Sequence, residues 1–373
     1  MSRLTACSVT ALVALIAALS APSIAVAQQA TVAAINRGVV EIETSGAAGI
    51  SVRIAEDLAN LIDDGTTRHI VPVVGKGSLQ SLTDLKYLRG VDMAILQTDV
   101  LDYAKEQRLL PGLESSLTYI ARLYNEEFHL LAGPDVKNFA ELAHKKVNVD
   151  LRGSGTAITA SRLFDSLKIP VTVTNDSQEV ALDKLRRGEI AALAFVAGKP
   201  APLFMGLKGD DGLHFLTVPF NPAASSAYAP TQLTAADYPG LVAQGRPVET
   251  VAIGSVLAVA DLRQLTERYR NVANFVDIFF TEFQSLLTPG HHPKWQEVNL
   301  AAELPGWRRY PPADQWLHRN VQVAGVPKPD DLKQMFARFL DERRQAMGNP
   351  VMSQQDKDAL FQQFQSWQRG QRQ

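Results

Sequence analysis

The feature that most constrains this sequence is a recurring order of strand, short turn and helix. One clear case is the strand-like run Lys146–Val149, the turn Asp150–Ala157 and the helical pattern Ala160–Leu167. The first N–H groups of a helix lack intrahelical partners, and the helix dipole adds about half a positive charge there. Glycine lets a ligand approach the backbone closely. Taken alone, this turn is either an anion-binding site or a plain connection between strand and helix.

Similar turns follow other predicted strands. They lie at Ser45–Gly49, Gly75–Ser78, Gln97–Asp99, Arg152–Thr156 and Ala197–Pro200. The alternation runs to residue 132 and restarts after Pro134, which predicts two α/β units with a largely parallel sheet. Because ligands of open α/β sheets bind beyond the carboxyl ends of the strands, the turns predict a cleft that binds a small molecule.

Composition and motifs narrow the possible functions. The 373 residues are enough for two domains with their own cores. The 37 Lys and Arg balance 39 Asp and Glu without a long basic run, so nucleic acid is not an expected partner. The histidines are scattered, and neither an HExxH nor a G-x-S-x-G motif occurs. We therefore expect no metal, no cofactor and no enzymatic activity.

The first 27 residues have the pattern of a Sec signal peptide. Arg3 precedes the apolar run Leu12–Leu19, and Ala25–Ala27 forms an A-x-A cleavage site. We expect cleavage after Ala27 and a periplasmic mature chain that does not insert into the membrane. Cys7 is the only cysteine and would leave with the signal, so no disulfide is expected.

The remaining chain divides into four predicted segments after the signal peptide. The apolar run Val248–Val259 is expected to return the chain to the first lobe, and Arg263–Leu287 to form a long amphipathic helix. In the tail, amphipathic patterns at Leu332–Leu340 and Ser353–Trp367 predict helices that either pack on this protein or bind a partner. The predicted order is signal peptide 1–27, first part of lobe 1 28–132, lobe 2 133–247, return to lobe 1 248–290 and C-terminal helical extension 291–373.

Several segments together resemble a known family. They are Asp92–Asp99, Leu123–Glu126 with His129–Leu130, Lys146–Thr156, and Tyr238–Gly240 with Thr250–Ile253. In their order and spacing they resemble the TAXI family of substrate-binding proteins of TRAP transporters, from about Val40 to about Leu287. The resemblance implies a periplasmic binding protein type 2 fold, in which two α/β lobes close on a ligand. It also implies a small carboxylate ligand (an amino acid, dicarboxylate or oxo acid) and an ion-gradient-driven TRAP permease as partner.

The turns and the resemblance together nominate the ligand-binding residues. Ser78 and Thr156 either donate to the ligand or cap helices, and Gln97 and Asp99 have the same alternatives. Tyr124 is either a wall of the cleft or a packing residue at the hinge. The full set is Ser45, Gly46, Gly49, Arg53, Gly77, Ser78, Gln97, Asp99, Tyr124, Arg152, Ser154, Gly155, Thr156, Gly198 and Pro200.

The sequence departs from the family pattern in places. Ala48–Val52 lacks the aromatic pair that usually follows the first turn, and Arg53 and Arg152 are unusual. Each arginine either clamps a ligand carboxylate bidentately or is a solvated charge, and Lys76 is a third, less specific anchor. The tail is longer than the family generally has. An alternative function is therefore a ligand-binding sensor or assembly subunit that docks a partner through this extension.

Overall fold

The computed structural model of the protein describes residues 28, 31–32, 36–46, 49–209, 212–220 and 227–320. The predicted signal peptide and both predicted helices of the tail lie outside these residues.

The strands in the described part of the chain form one sheet. They are β1 (Val39–Thr44), β2 (His69–Val74), β3 (Val91–Gln97), β4 (Leu117–Ala132), β5 (Lys146–Asn148), β6 (Thr172–Thr174), β7 (Ala192–Ala197), β8 (His214–Phe215), β9 (Tyr228–Leu233) and β10 (Val248–Ala260). Their spatial order is β2-β1-β3-β10-β4-β7-β5-β6, with β9 beside β10 and β8 beside β4.

Helices follow most of these strands. The α-helices are α1 (Ser51–Ile62), α2 (Ser78–Tyr87), α3 (Thr98–Glu106), α4 (Leu113–Ser116), α5 (Gly155–Ser166), α6 (Gln178–Arg186), α7 (Glu267–Thr281), α8 (Phe283–Leu286) and α9 (Pro311–Arg319). Short 3-10 helices are Phe139–Leu142, Pro202–Phe204 and Pro293–Glu297.

The sheet is parallel at both ends and antiparallel in the middle. β1 pairs in parallel with β2 and β3, and β5 pairs in parallel with β6 and β7. β4 and β10 run antiparallel to each strand with which they pair. The prediction of a largely parallel sheet is therefore wrong for the centre of the sheet. A parallel pair needs a crossover connection, usually a helix, whereas β4 and β10 carry the chain directly between the two ends.

Two long strands connect the ends of the sheet. β10 pairs with β9 at its start and with β3 from Ser255 to Val259, while β4 pairs with β7 from Glu127 to Ala132. We call the part around β1, β2 and β3 the first lobe and the part around β5, β6 and β7 the second lobe. The predicted α/β class with a cleft between two lobes is confirmed. The predicted segment boundaries stay predictions.

Both faces of the sheet are covered in each lobe. In the first lobe Ile54 and Phe275 are buried on one face, and Leu82 and Leu101 belong to the cluster on the other face. In the second lobe, two further apolar clusters include Phe164 and Leu185. Burial from two sides explains why β3 and β7 are buried along their full length, without the alternation of a half-exposed strand.

The long helix expected over Arg263–Leu287 is shorter and divided. α7 begins at Glu267 because the Thr266 hydroxyl accepts a hydrogen bond from Tyr269 N–H, which makes Thr266 the N-cap. Leu265, one residue earlier, has a positive φ of 68°, which does not suit a helix. After Glu282 the separate turn α8 follows.

Strand β9 lies off the main strand order and begins at Tyr228. β9 contains Pro230 and pairs with β10 alone among the described strands. Proline is tolerated in such edge strands because one side of the backbone needs no ladder hydrogen bond. Strand β8 is much shorter and contains only His214–Phe215.

The described beginning of the C-terminal extension, residues 291–320, packs on the first lobe. Trp295 is fully buried, and its indole N–H donates to Asp57 Oδ2 at 2.9 Å. Trp316 of α9 packs edge-on against Phe280 of α7, with ring centroids 5.3 Å apart. This stretch therefore completes the first core.

Candidate functional site: the cavity between the lobes

A cavity of about 270 Å³ lies where the carboxyl ends of the parallel strands of both lobes meet. It lies just below the range of about 300 to 1,000 Å³ that is usual for ligand pockets, so it suits a small ligand. Its lining residues are Ser45, Gly46, Gly49, Ser51, Val74, Gly75, Lys76, Gln97, Glu126, Asp150, Leu151, Ser154, Gly155, Thr156, Ser177, Gln178, Glu179, Phe195 and Val196.

Three helices begin at this cavity. Ser51 starts α1, Gly155 starts α5 and Gln178 starts α6. Ser154 is the N-cap of α5, and its hydroxyl accepts a hydrogen bond from Ala157 N–H at 3.1 Å. Since the first turn of a helix presents unpaired N–H groups and a partial positive charge, the three starts together favour a negative group in the cavity.

A chain of buried hydrogen bonds forms the first-lobe wall. Ser78 Oγ donates to Gln97 Oε1 at 3.2 Å, and Gln97 Nε2 donates to Glu126 Oε2 at 2.5 Å. Tyr124 OH donates to Glu126 Oε1 at 3.3 Å. Burial raises the pKa of the Glu126 carboxyl to about 7, although the bonds from Gln97 and Tyr124 act in the opposite direction. Glu126 is therefore partly protonated near neutral pH.

The second-lobe wall is formed by the turn after β5, the start of α6 and the end of β7. Asp150 has a left-handed backbone, with a φ of 69°, and burial raises the pKa of its carboxyl. Thr156 lines the cavity, and its hydroxyl accepts a hydrogen bond from Val196 N–H at 3.0 Å. The Thr156 hydroxyl proton therefore remains free to be donated to a ligand.

Many of the nominated residues line the cavity. These are Ser45, Gly46, Gly49, Gln97, Ser154, Gly155 and Thr156. They come from the turns of both lobes, so the structure brings together the turns that the sequence analysis grouped. The others, Arg53, Gly77, Ser78, Asp99, Tyr124, Arg152, Gly198 and Pro200, are absent from the lining among the described residues.

The structure places neither arginine in the cavity. Arg53 donates to Gly290 O at 2.8 Å and pairs with Asp57 at 3.2 Å, one helical turn further along α1. This i,i+4 pairing holds the guanidinium on the outer side of the helix start. Arg152 is exposed in the turn before α5. The expectation of a guanidinium clamp in the cavity is therefore not supported by the position of either residue.

Asp99 and Tyr228 join the lobes beside the cavity. Asp99 of α3 is completely buried and accepts hydrogen bonds from Thr159 of α5 at 2.6 Å and from Tyr228 at 3.2 Å. Burial raises the pKa of Asp99 to about 6. Nearby, Arg162 of α5 pairs bidentately with Glu106 of α3 at 2.7 and 3.2 Å. Asp99 thus connects the lobes and does not line the cavity.

Glycines allow the lobes to touch next to the cavity. A Cβ built on Gly155 would overlap the side-chain amide of Gln97, and one built on Gly198 would overlap Ile50. A Cβ on Gly77 would lie 2.7 Å from Ser154 Cα, and Leu79 N–H donates to Gly153 O at 3.3 Å. These contacts show that the lobes are closed on each other in this structure.

Two of the remaining nominated residues contact lining residues without lining the cavity themselves. Tyr124 is buried and holds Glu126, and Ser78 holds Gln97 instead of capping α2. Pro200 follows Lys199, whose N–H donates to Glu127 Oε2 at 2.9 Å.

Sequence reasoning missed Glu126, Gln178 and Glu179 as lining residues. Glu126 was part of the quoted Leu123–Glu126 segment, so the segment could have signalled it. Gln178 and Glu179 start a helix right after a strand, as the nominated turns do, and the same rule could have found them.

No group of three or more His, Cys, Asp or Glu side chains in the described part of the chain is arranged to hold a metal ion. None of the helices in the same ranges is long and apolar enough to cross a membrane.

Several solved structures are similar to this chain. The periplasmic binding protein BugD is 12% identical, with 77% of this chain and 98% of BugD covered and a TM-score of 0.44. The alkanesulfonate-binding protein SsuA from Xanthomonas axonopodis pv. citri, bound to MOPS, is 14% identical, with 90% and 93% covered and a TM-score of 0.40. The substrate-binding protein of an amino acid ABC transporter is 15% identical, with 69% and 96% covered and a TM-score of 0.40.

A match to a family model shows which family the protein belongs to. The family model matches residues 42–267, which include β1 to β10 apart from the first residues of β1, and so most of both lobes. Because this match covers more than half of the 373 residues, the protein belongs to the NMT1-like family.

Proposed function

We propose that this protein is an extracytoplasmic solute-binding receptor that captures a small carboxylate and delivers it to a TRAP-type permease driven by an ion gradient. The observation that carries the proposal is the central cavity, which lies between two closed lobes and receives the starts of three helices. The helix starts and the ammonium of Lys76 offer a carboxylate both hydrogen-bond donors and positive potential.

The wider role follows from the resemblance to TAXI proteins and from the closed arrangement of the lobes. Ligand binding favours the closed form over an open one, and the permease then recognises the closed receptor. The A-x-A site before Gln28 supports export to the periplasm with removal of residues 1–27. N-terminal sequencing of the protein from the periplasmic fraction should begin at Gln28.

Ligand capture is tested by thermal unfolding of the purified protein with amino acids, dicarboxylates and 2-oxo acids. A ligand at about one hundred times its Kd stabilises the folded form by about 2.7 kcal/mol, which is measurable as a higher Tm. Mass spectrometry of small molecules released from freshly purified protein gives independent candidates. If no carboxylate raises the Tm and none is released, the proposal fails.

Delivery is tested in proteoliposomes that contain a TRAP-type permease. Uptake should require both this receptor and an ion gradient, and it should not require ATP. A variant that lacks residues 327–373 separates the alternative function. Normal uptake by this variant supports the receptor role alone, whereas lost uptake or signalling with intact ligand binding would assign the extension to docking.

A further inference from the structure

The cavity lining contains more acidic groups than a simple carboxylate receptor needs. Glu126, Asp150 and Glu179 line it, and Lys76 is the only Lys or Arg among the described lining residues. A ligand with carboxylates alone would bring like charges close together, which disfavours binding. The helix starts favour one negative group on the ligand. The acidic side chains favour a second group on the same ligand, one that carries a positive charge.

Glu126 is the best placed of these acids. Its side chain is buried, yet it lines the cavity, and each of its oxygens accepts one bond, from Gln97 or from Tyr124. A carboxylate oxygen has two lone pairs, so each retains acceptor capacity. The buried ammonium of Lys294 does not bond to Glu126, because it donates to Glu127 and Glu297 at 2.7 Å each.

Gln178 gives an independent indication of a donor on the ligand. Its side chain is buried in the cavity wall, and its Nε2 donates to Ala194 O at 3.1 Å. Its Oε1 has no hydrogen-bond partner within the described part of the chain. A buried acceptor without a donor is unfavourable, and a ligand N–H group that reached this oxygen would relieve the cost.

We propose that the ligand carries an amine as well as a carboxylate, and that Glu126 is the residue that selects for the amine. The inference rests on the proposed function, and it narrows the ligand class to amino acids. The ligand ammonium donates to Glu126 while the carboxylate lies at the helix starts and Lys76. Dicarboxylates and 2-oxo acids lack the donor and bind more weakly.

The raised pKa of Glu126 gives this inference a measurable signature. The charged groups near Glu126 are Glu127, which favours its protonated form, and Lys294, which favours its ionised form; Tyr124 and Gln97 donate to it. An ammonium in contact would further favour the ionised form. Below pH of about 7, binding of an amino acid should therefore release a proton from Glu126.

The experiment uses matched pairs of probes in isothermal titration calorimetry on the full mature chain. Each pair differs only at the α-position: L-glutamate with 2-oxoglutarate, L-alanine with pyruvate, and L-leucine with 4-methyl-2-oxopentanoate. Ethylamine and isopentylamine serve as amines without a carboxylate. Titrations at pH 6 in buffers of different ionisation enthalpy report the protons released. All probes are applied to the wild type, Glu126→Gln and Glu43→Gln.

Glu43→Gln is the matched control. Glu43 is also a buried carboxyl whose pKa is raised by burial, but it bonds to Ser81 behind Gly75 and does not line the cavity. The control therefore removes a buried acid of the same lobe without removing a group that the ligand contacts. It should keep the affinities and proton release of the wild type.

We expect at least one amino acid to bind about tenfold or more tightly than its oxo acid, the range of one hydrogen bond to a charged group. Glu126→Gln should remove this preference and the proton release. Binding of oxo acids as tight as that of amino acids, with equal effects of Glu126→Gln on both, would overturn the inference and leave the proposed function intact. Binding of amines alone would keep the role of Glu126 as the amine site, but it would overturn carboxylate capture and with it the assignment of the ligand to amino acids. If no probe binds, both the inference and the proposed function are overturned.

Discussion

Lys294 Nζ lies 2.7 Å from Glu127 Oε1, and both side chains are almost completely buried where β4 passes between the lobes. The second oxygen of Glu127 accepts from Lys199 N–H of the second lobe at 2.9 Å. Lys294 also donates to Glu297, which in turn accepts from Asn125 N–H at 3.0 Å. One buried ion pair thus ties the C-terminal extension to both lobes at the hinge.

Lys294→Met should strongly destabilise the protein. It leaves the Glu127 charge buried without its cation, and loss of one partner of a buried pair costs about 3–5 kcal/mol. The measurement is the free energy of unfolding from urea titration at neutral pH. The double variant Glu127→Leu with Lys294→Met should recover part of the loss, because the Glu127 charge is no longer buried without its cation.

The control for this prediction is Lys105→Met. Lys105 pairs with Glu114 on the surface, with side chains 47% and 55% exposed. Loss of an exposed pair costs about 0–1 kcal/mol. An equal effect of Lys294→Met and Lys105→Met would contradict the structural role of the buried pair.

Gly155→Ala should impair closure of the lobes. The added Cβ would overlap the Gln97 amide across the lobe interface, although Gly155 itself begins a helix, where alanine is tolerated. We expect a receptor that unfolds at nearly the normal temperature but binds its ligand at least about tenfold more weakly, since closure costs an extra 1.4 kcal/mol or so. Small-angle scattering with saturating ligand should show a larger radius of gyration than for the wild type.

Gly206→Ala is the matched substitution, because within the described part of the chain no atom other than those of its two chain neighbours lies within 4 Å of a Cβ built there. It should bind ligand and close like the wild type. Normal closure of Gly155→Ala would show that the contact with Gln97 rearranges easily.

Glu126 and Asp99 should each lower the stability of the ligand-free protein as the pH rises from about 4 to about 7. They have folded-state pKa values of about 7 and about 6, above their ordinary values of 4.5 and 3.8. At these two groups the native state binds more protons than the unfolded state, so their contribution to the free energy of unfolding decreases with pH, whereas the buried His129, whose pKa burial lowers to about 3, acts in the opposite direction. The groups that act on Asp99 are Thr159, Tyr228, Arg162 and Asp102.

Glu126→Gln and Asp99→Asn should each reduce this slope by up to one proton. The check is urea unfolding at several pH values across the window, with Glu114→Gln, which removes an exposed carboxyl, as the control. A slope that stays at the wild-type value in both buried variants would show that neither group stays protonated in the folded protein.

Arg53→Ala and Arg152→Ala should leave ligand affinity within about twofold of the wild type, less than the tenfold that corresponds to 1.4 kcal/mol. Arg53 bonds to Gly290 and Asp57, and Arg152 is exposed. Lys76→Ala should weaken binding of a carboxylate, because Lys76 lines the cavity. The affinities of these variants are measured by calorimetry, with the ligand that raises the Tm most in the thermal unfolding test. Loss of affinity in Arg152→Ala alone would place this side chain at the ligand.

The turns could be predicted because their signals are local. Ser154 caps α5 as its position between strand and helix suggests, and Gly155 is small where Gln97 approaches. The alternatives for Arg53 could not be separated, because its sequence position gives its distance from the turn but not the direction of its side chain. Its partner Asp57 lies at i+4 on the same helix, and that pairing turns the side chain outward.

Glu126 and Lys294 needed the tertiary structure. Glu126 lies inside a buried strand, where a charged residue breaks the apolar pattern without showing what it faces. Lys294 comes from a short 3-10 helix in the extension, and its partner Glu127 is 167 positions away in the sequence. Single-residue patterns contain no information on such distant pairs.

Two of the contacts that hold the lobes together lie apart from the side chains that line the cavity. Asp99 with Thr159, and Glu106 with Arg162, join α3 to α5 outside the lining. A designer can therefore vary lining residues such as Gln178 or Glu179 while the closing surfaces stay unchanged. Fluorophores on the two lobes would then convert closure of the lobes on a new analyte into an optical signal. The fold is therefore a suitable scaffold for biosensors that need no added reagent.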